Sequence, residues 1–135
     1  MIEKLTTVVV VVKDQAKALD FYTRVLGFEK RTDVTPPGRA RWVTVAPKGQ
    51  DIEIALYQQG TPDPTGWGQR WEPGKAATWT FKTSDCKKDF SEFKSKGVKF
   101  DQLAPGEYPW GINATFTDPD GNRFGLSQPP AKQAW

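Results

Sequence analysis

The sequence predicts an α+β fold in which one strand–helix–three-strand unit is used twice. Three observations predict it. Two runs rich in β-branched and aromatic residues, Leu5–Val12 and Ala76–Thr83, each lead to an aspartate suited to cap a helix, Asp14 and Asp85. Each aspartate opens a stretch of apolar residues at helical spacing that a glycine closes, Gly27 and Gly97. The order then recurs: 71 residues separate Asp14 from Asp85, Leu19 from Phe90 and Tyr22 from Phe93, and 70 separate Gly27 from Gly97. Such a period marks a duplicated unit.

The elements follow in order. Leu5–Val12 is a strand, and the helix after Asp14 buries Leu19, Tyr22, Val25 and Leu26 before Gly27. Phe28–Val34 and Arg41–Ala46 are strands joined through Pro36-Pro37-Gly38, and Lys48-Gly49-Gln50 turns into a fourth strand, Ile52–Tyr57. Gln58–Gly74 holds four glycines, three prolines, Trp67 and Trp71, and reads either as a linker or as a flap over a pocket. The second unit repeats the plan: strand Ala76–Thr83, a helix carrying Phe90 and Phe93, then strands Val98–Leu103, Asn113–Thr117 and Arg123–Ser127. Asp118-Pro119-Asp120-Gly121-Asn122 makes the last turn; its two aspartates lack the spacing and closing glutamate of a calcium loop. The expected organisation is a single domain over 1–135, with repeat one over about 1–57, a connection over 58–74 and repeat two over about 75–135.

Composition excludes several chemistries. The 135 residues contain no histidine and one cysteine, Cys86. Serine and cysteine triads that need an imidazole are therefore impossible, as are zinc sites built on His or paired Cys. Any metal would sit on oxygen ligands. A single cysteine also rules out an internal disulfide and suits a reducing cytoplasm, the expected location. No apolar run approaches the roughly 20 residues that span a bilayer, so no membrane partner is expected. The net charge of +3 comes from scattered residues, and Lys87-Lys88 and Lys94-Ser95-Lys96 are interleaved with Asp89 and Glu92. That pattern is a solvated helix face, and no nucleic-acid partner is expected. Aromatic residues reach 13%, with six Trp, enough to fill a core or to line a ligand pocket. Trp42 and Trp79, inside strands, are expected in the core.

Two passages carry a family resemblance. VVVKDQAKALDFYTRVLGFEK, Val10–Lys30, resembles the first-repeat signature of the vicinal oxygen chelate superfamily, in which an Asp-capped helix carries Phe-Tyr and ends Leu-Gly-Phe. DPDGNRFGL, Asp118–Leu126, is similar to that superfamily's closing hairpin. The superfamily includes lactoylglutathione lyases, extradiol dioxygenases, fosfomycin-resistance enzymes and bleomycin-binding proteins. The resemblance covers nearly the whole chain. It implies that the two βαβββ repeats form paired half-barrels around a cavity, and that two chains pair as a homodimer.

Metal-using members place one ligand on the first strand of each repeat and one further along each unit, commonly as His, Glu, His, Glu. Carried onto this chain, those positions are Thr7, Glu53, Thr78 and Gly125. One carboxylate and two neutral hydroxyls would hold a divalent ion poorly. The resemblance therefore implies an ordinary metal site that has been lost, and no cofactor is expected.

The remaining candidates have two readings each. Asp51, Glu53, Ala55 and Tyr57 share one strand face, which is either solvated or, as the resemblance implies, turned to the cavity. In the cavity Glu53 could act as general base or bind a cationic ligand group. Thr7 and Thr78 either donate hydrogen bonds to a ligand or simply fill strand positions. Gly125 leaves room for backbone or a ligand ring. Asn113, Thr115 and Thr117 alternate with Ala114 and Phe116 and give a polar face, and Trp110 lies where family members have a loop near the cavity mouth. Cys86 is taken as structural. The leading expectation is a metal-independent protein that binds a small, aromatic molecule. The alternatives are an isomerase or lyase using Glu53 as base, and a divalent-metal lyase or dioxygenase with relocated oxygen ligands.

Overall fold

The computed structural model describes residues 1, 3, 5–38, 40–61, 72–75, 79–109 and 111–131. The chain forms two compact units, Met1–Ala76 and Ala77–Trp135. No helix among the described residues is long and apolar enough to cross a membrane.

The first unit runs β1 (Thr7–Val12), α1 (Gln15–Asp20), β2 (Glu29–Val34), β3 (Trp42–Ala46) and β4 (Glu53–Gln58). Its sheet has the order β1-β4-β3-β2, with β1 parallel to β4 and the other pairs antiparallel. Asp14 caps α1 by accepting from the Lys17 N–H at 3.1 Å. The helix expected as far as Gly27 changes character halfway, because Phe21–Val25 winds as a π turn. There the Thr23 hydroxyl donates to the Leu19 carbonyl at 2.6 Å, a local bond that competes with the α ladder. Gly27, at φ 80°, takes the left-handed turn out.

Register sorts this sheet into two faces. Val8, Val10, Val12, Ile54, Leu56, Val43 and Val45 share one, which is mainly aliphatic, with Gln58 beside Val12 and Asp33 beside Val43 at its margins. Ala18, Phe21, Tyr22 and Val25 of the helical segment are buried too, with the Phe21 and Tyr22 rings edge to face at 5.4 Å.

The second unit comprises β5 (Trp79–Lys82), α2 (Cys86–Ser95), β6 (Lys99–Phe100), β7 (Gly106–Tyr108), β8 (Gly111–Thr117) and β9 (Arg123–Gln128). The strand order is β5-β9-β8-β6, and β7 also pairs with β8. Asp85 caps α2 through the Lys88 N–H at 3.1 Å, and Gly97 exits at φ 89°. Phe81, Phe90, Phe93, Phe100, Phe116 and Phe124 form one cluster, with neighbouring ring centres between 4.2 and 6.4 Å apart. Phenylalanine thus makes up much of the core of this unit, beside Cys86, Val98, Ala114 and Leu126.

Two expectations need correction here. The strand expected over Val98–Leu103 is only Lys99–Phe100, because the Gln102 side-chain carbonyl accepts the Thr115 N–H at 2.9 Å in place of a ladder partner. The next stretch, Gly106–Tyr108, returns to pair with β8 as a strand the sequence did not reveal. Trp79 is 36% exposed rather than core, and Trp42 is half-buried.

Candidate functional site

In the first unit, the candidate residues lie on the sheet face opposite the aliphatic one. Thr7 is the register partner of Glu53, Val9 of Ala55 and Val11 of Tyr57, while Thr44 stands beside Ala55 and Thr32 beside Thr44. Trp42 shares this face by strand alternation. Glu53 is half-buried, and Thr44, 1% exposed, donates its hydroxyl to Glu53 Oε1 at 2.6 Å. The Glu53 N–H bonds the Thr6 carbonyl at 2.9 Å. Thr7 is half-buried, and its hydroxyl lies 3.5 Å from that of Thr6. Sequence reasoning missed Thr44, because strand alternation shows which residues share a face but not which strand stands alongside.

In the second unit, Gly125 lies between Thr80 on β5 and Thr115 on β8, with Asn113 opposite Ser127 and Thr117 opposite Arg123. These residues make the polar face expected from the alternation of Asn113, Thr115 and Thr117, and all three are half-buried. Ala114, Phe116, Phe124 and Leu126 share the other face and are buried. The room left by Gly125 is not empty: a Cβ built there would stand 2.8 Å from the Thr80 hydroxyl. Thr80 is thus a second neighbour that sequence reasoning missed. Thr78 and Trp110 lie outside the described residues.

The duplicated unit can be aligned by its contacts. Gln58 Oε1 accepts the Gln15 N–H, and Gln128 Oε1 accepts the Cys86 N–H, both at 3.0 Å. The Gln15 side-chain amide donates to the Leu56 carbonyl at 2.9 Å, and the Cys86 thiol approaches the Leu126 carbonyl at 3.8 Å. Thr44 stands beside Ala55 as Thr115 stands beside Gly125. Ala55 is therefore the counterpart of Gly125, and Glu53, two residues earlier on the same face, is the counterpart of Arg123.

That alignment bears on the metal implied by the resemblance. Neither Ala55 nor Gly125 offers a donor atom, Thr7 offers a neutral hydroxyl, and the chain has no histidine. Among the described residues no three His, Cys, Asp or Glu side chains gather at one point. The residues present do not fit the divalent ion that metal-using members hold, since too few charged oxygens would replace its water.

Two other candidates are structural. Cys86 is fully buried, and burial first, then Asp89 and Asp85, push its thiol pKa up, away from a reactive thiolate. Buried Asp118 accepts from the Asp120 and Asn122 N–H groups at 2.9 and 2.8 Å and from the Asn122 amide, organising the turn through Gly121. A groove of about 490 Å³ opens at the C-terminal ends of β5 and β9, between Lys82–Ser84 and Gln128–Ala131.

Paired βαβββ units and these faces define a known class. The model of the Glyoxalase/Bleomycin resistance protein/Dioxygenase superfamily matches residues 4–126, and the chain belongs to that superfamily. The fold is the α+β fold of paired half-barrels found there. The chain is 37% identical to the crystal structure of TnmS3, an antibiotic binding protein from Streptomyces sp. CB03234, with a TM-score of 0.79 over 95% of this chain and 97% of that one. It is 34% identical to a superfamily member from Sphaerobacter thermophilus, with a TM-score of 0.80 over 94% and 98% of the two chains. YetH of Bacillus subtilis is 34% identical over 128 residues, covering 95% of this chain and all of that protein.

Proposed function

We propose that the chain is a metal-independent member of its superfamily that binds a small, flat aromatic molecule on its polar sheet faces. The observation that carries this reading is the pairing of Ala55 with Gly125 as repeat counterparts. Both positions are stripped of donor atoms, while hydroxyls and one carboxylate remain around them. A face with few polar anchors and an aromatic neighbour suits an amphipathic ligand held by shape and a handful of hydrogen bonds. The likeness to an antibiotic binding protein at 37% identity supports the same reading. Thr7, Thr78, Asn113, Thr115 and Trp110 are the ligand-contacting residues of this proposal, and Gly125 is the close-approach position. A homodimer in the cytoplasm completes it.

The test is a thermal-shift screen against aromatic antibiotics, thiol adducts and divalent metals. A true ligand at a hundred times its Kd stabilises the fold by about 2.7 kcal/mol. Aromatic compounds are expected to raise the melting temperature, and metals or chelators to leave it unchanged. Stabilisation by manganese or nickel alone rejects the proposal.

A second reading, proton transfer by Glu53 in a metal-independent isomerase or lyase, is favoured by one observation. Among the described residues, Glu53 Oε2 accepts no hydrogen bond, so one oxygen is available to a substrate proton. Turnover of a screened ligand that vanishes in Glu53→Gln selects this reading.

A further inference from the structure

We propose that Glu53 and Thr44 form a subsite for a protonated nitrogen, so that the preferred ligand is an aromatic cation whose ring lies toward Trp42. The inference rests on the reading of the protein as a binder of small aromatic molecules, and it names the charge that the ligand carries.

A solvated surface glutamate is ordinarily free to rotate and is screened by water. Glu53 differs on both counts. It is half-buried, and the hydroxyl of Thr44, a residue 1% exposed, holds one of its oxygens at 2.6 Å. That bond fixes the side chain on the sheet before any ligand arrives, which lowers the ordering cost of binding. An ionised carboxylate is acceptor-only, so with Oε1 engaged by Thr44 the lone pairs of Oε2 can accept from a donor on a ligand.

Among the described residues nothing supplies such a donor. Asp20, Glu29, Asp33, Asp101 and Glu107 each have a Lys or Arg partner within 3.3 Å. Among the described residues Glu53 has none, although the protein carries 19 basic side chains. A half-buried carboxylate with no counter-charge leaves a local negative potential, and its register neighbours Thr7, Val9, Ala55 and Thr44 are uncharged. A cation brought there gains a charge-assisted hydrogen bond of the stronger kind.

The ring follows from the strand. Trp42 stands two residues from Thr44 on the same face, about 7 Å along β3, and is half-buried. A fused aromatic system with an ammonium or amidinium edge can meet the indole with its ring and Oε2 with its N–H, and a cationic ring is attracted to the negative face of an indole.

The experiment compares two fluorescent probes of one shape, 9-aminoacridine, a cation at neutral pH, and acridone, which is neutral. Binding is measured by anisotropy and calorimetry on the full chain at low and moderate salt. The wild type is expected to prefer the cation by about ten-fold or more, the scale of a hydrogen bond to a charged group. Glu53→Gln, isosteric and still able to accept from Thr44, should bring the ratio close to one while acridone binding stays within about two-fold. Thr44→Val should reduce the preference by less. Equal affinity for the two probes, or an equal loss of both in Glu53→Gln, overturns the subsite and leaves the aromatic-ligand reading standing. Failure of both probes to bind overturns both.

Discussion

Gln58 and Gln128 do the same work in the two repeats. Each sits at the end of the strand that runs parallel to the first strand of its unit, and each side-chain carbonyl accepts the first N–H of its unit's helix at 3.0 Å. Gln58 also donates to the Lys13 carbonyl at 3.1 Å. The opening N–H groups of a helix have no partner of their own, so these glutamines tie helix to sheet. Gln58→Ala and Gln128→Ala are each expected to cost about 1–2 kcal/mol in urea unfolding. A loss within about 0.5 kcal/mol, the ordinary range for surface changes, would mean that water replaces the glutamine without penalty.

Thr80 and Gly125 form a tighter couple. A methyl group at Gly125 would meet the Thr80 hydroxyl at 2.8 Å and its methyl at 3.3 Å. Gly125→Ala should destabilise by about 1–2 kcal/mol, and adding Thr80→Ala should recover most of that loss. A double-mutant cycle reads the coupling. Additive losses would show that the strand shifts instead of the threonine.

The mismatch with a metal site gives a third expectation. Saturation with manganese or nickel, and exhaustive chelation, should leave the melting temperature of the wild type within a degree of its untreated value. A clear shift in either direction would point to oxygen ligands outside the described residues.

Cys86 should be silent to thiol reagents in the native state. It is fully buried, and desolvation followed by Asp89 and Asp85 raises its pKa, so little thiolate forms near neutral pH. Labelling by a disulfide reagent should wait for denaturant and then reach one thiol per chain. Rapid stoichiometric labelling of the folded protein would contradict the packing against Leu126.

Asp33 supplies a pH signature. Arg41 bonds both its oxygens at 2.8 Å and Lys30 adds a third contact at 3.3 Å. Above all the Arg41 hydrogen bonds take its pKa from the usual 3.8 to about 2. A depressed carboxylate contributes stability that is fully present above the usual value and lost as pH falls through the folded one. Asp33→Asn should therefore differ from wild type at pH 5, with the difference fading between pH 3.8 and about 2. Exposure and screening keep the effect small, so NMR titration of the carboxyl is the sharper measurement. An Asp33 midpoint near 3.8 would remove the ion pair.

Much of the fold was readable from the chain alone, and the reason is range. Asp14 and Asp85 cap helices with their own side chains, Gly27 and Gly97 leave at positive φ, and Asp118 organises a turn within four residues. Each of these depends on neighbours along the chain, so the residues announce it, and the 71-residue period then doubles every signal. The ends of β6 and the presence of β7 were not readable, because Gln102 stops one strand by reaching across to Thr115 on another.

The candidate site divides along the same line. Alternation alone put Glu53 on a polar face, and Asn113, Thr115 and Thr117 on another. Only the folded chain decided that Thr44 holds Glu53, that Thr80 covers Gly125, and that Ala55 rather than Glu53 is the counterpart of Gly125. Helix caps and turns are set by dihedral angles and hydrogen bonds over a few residues. Which side chains meet across a sheet is set by strand register, and register is settled by long-range packing of the whole unit.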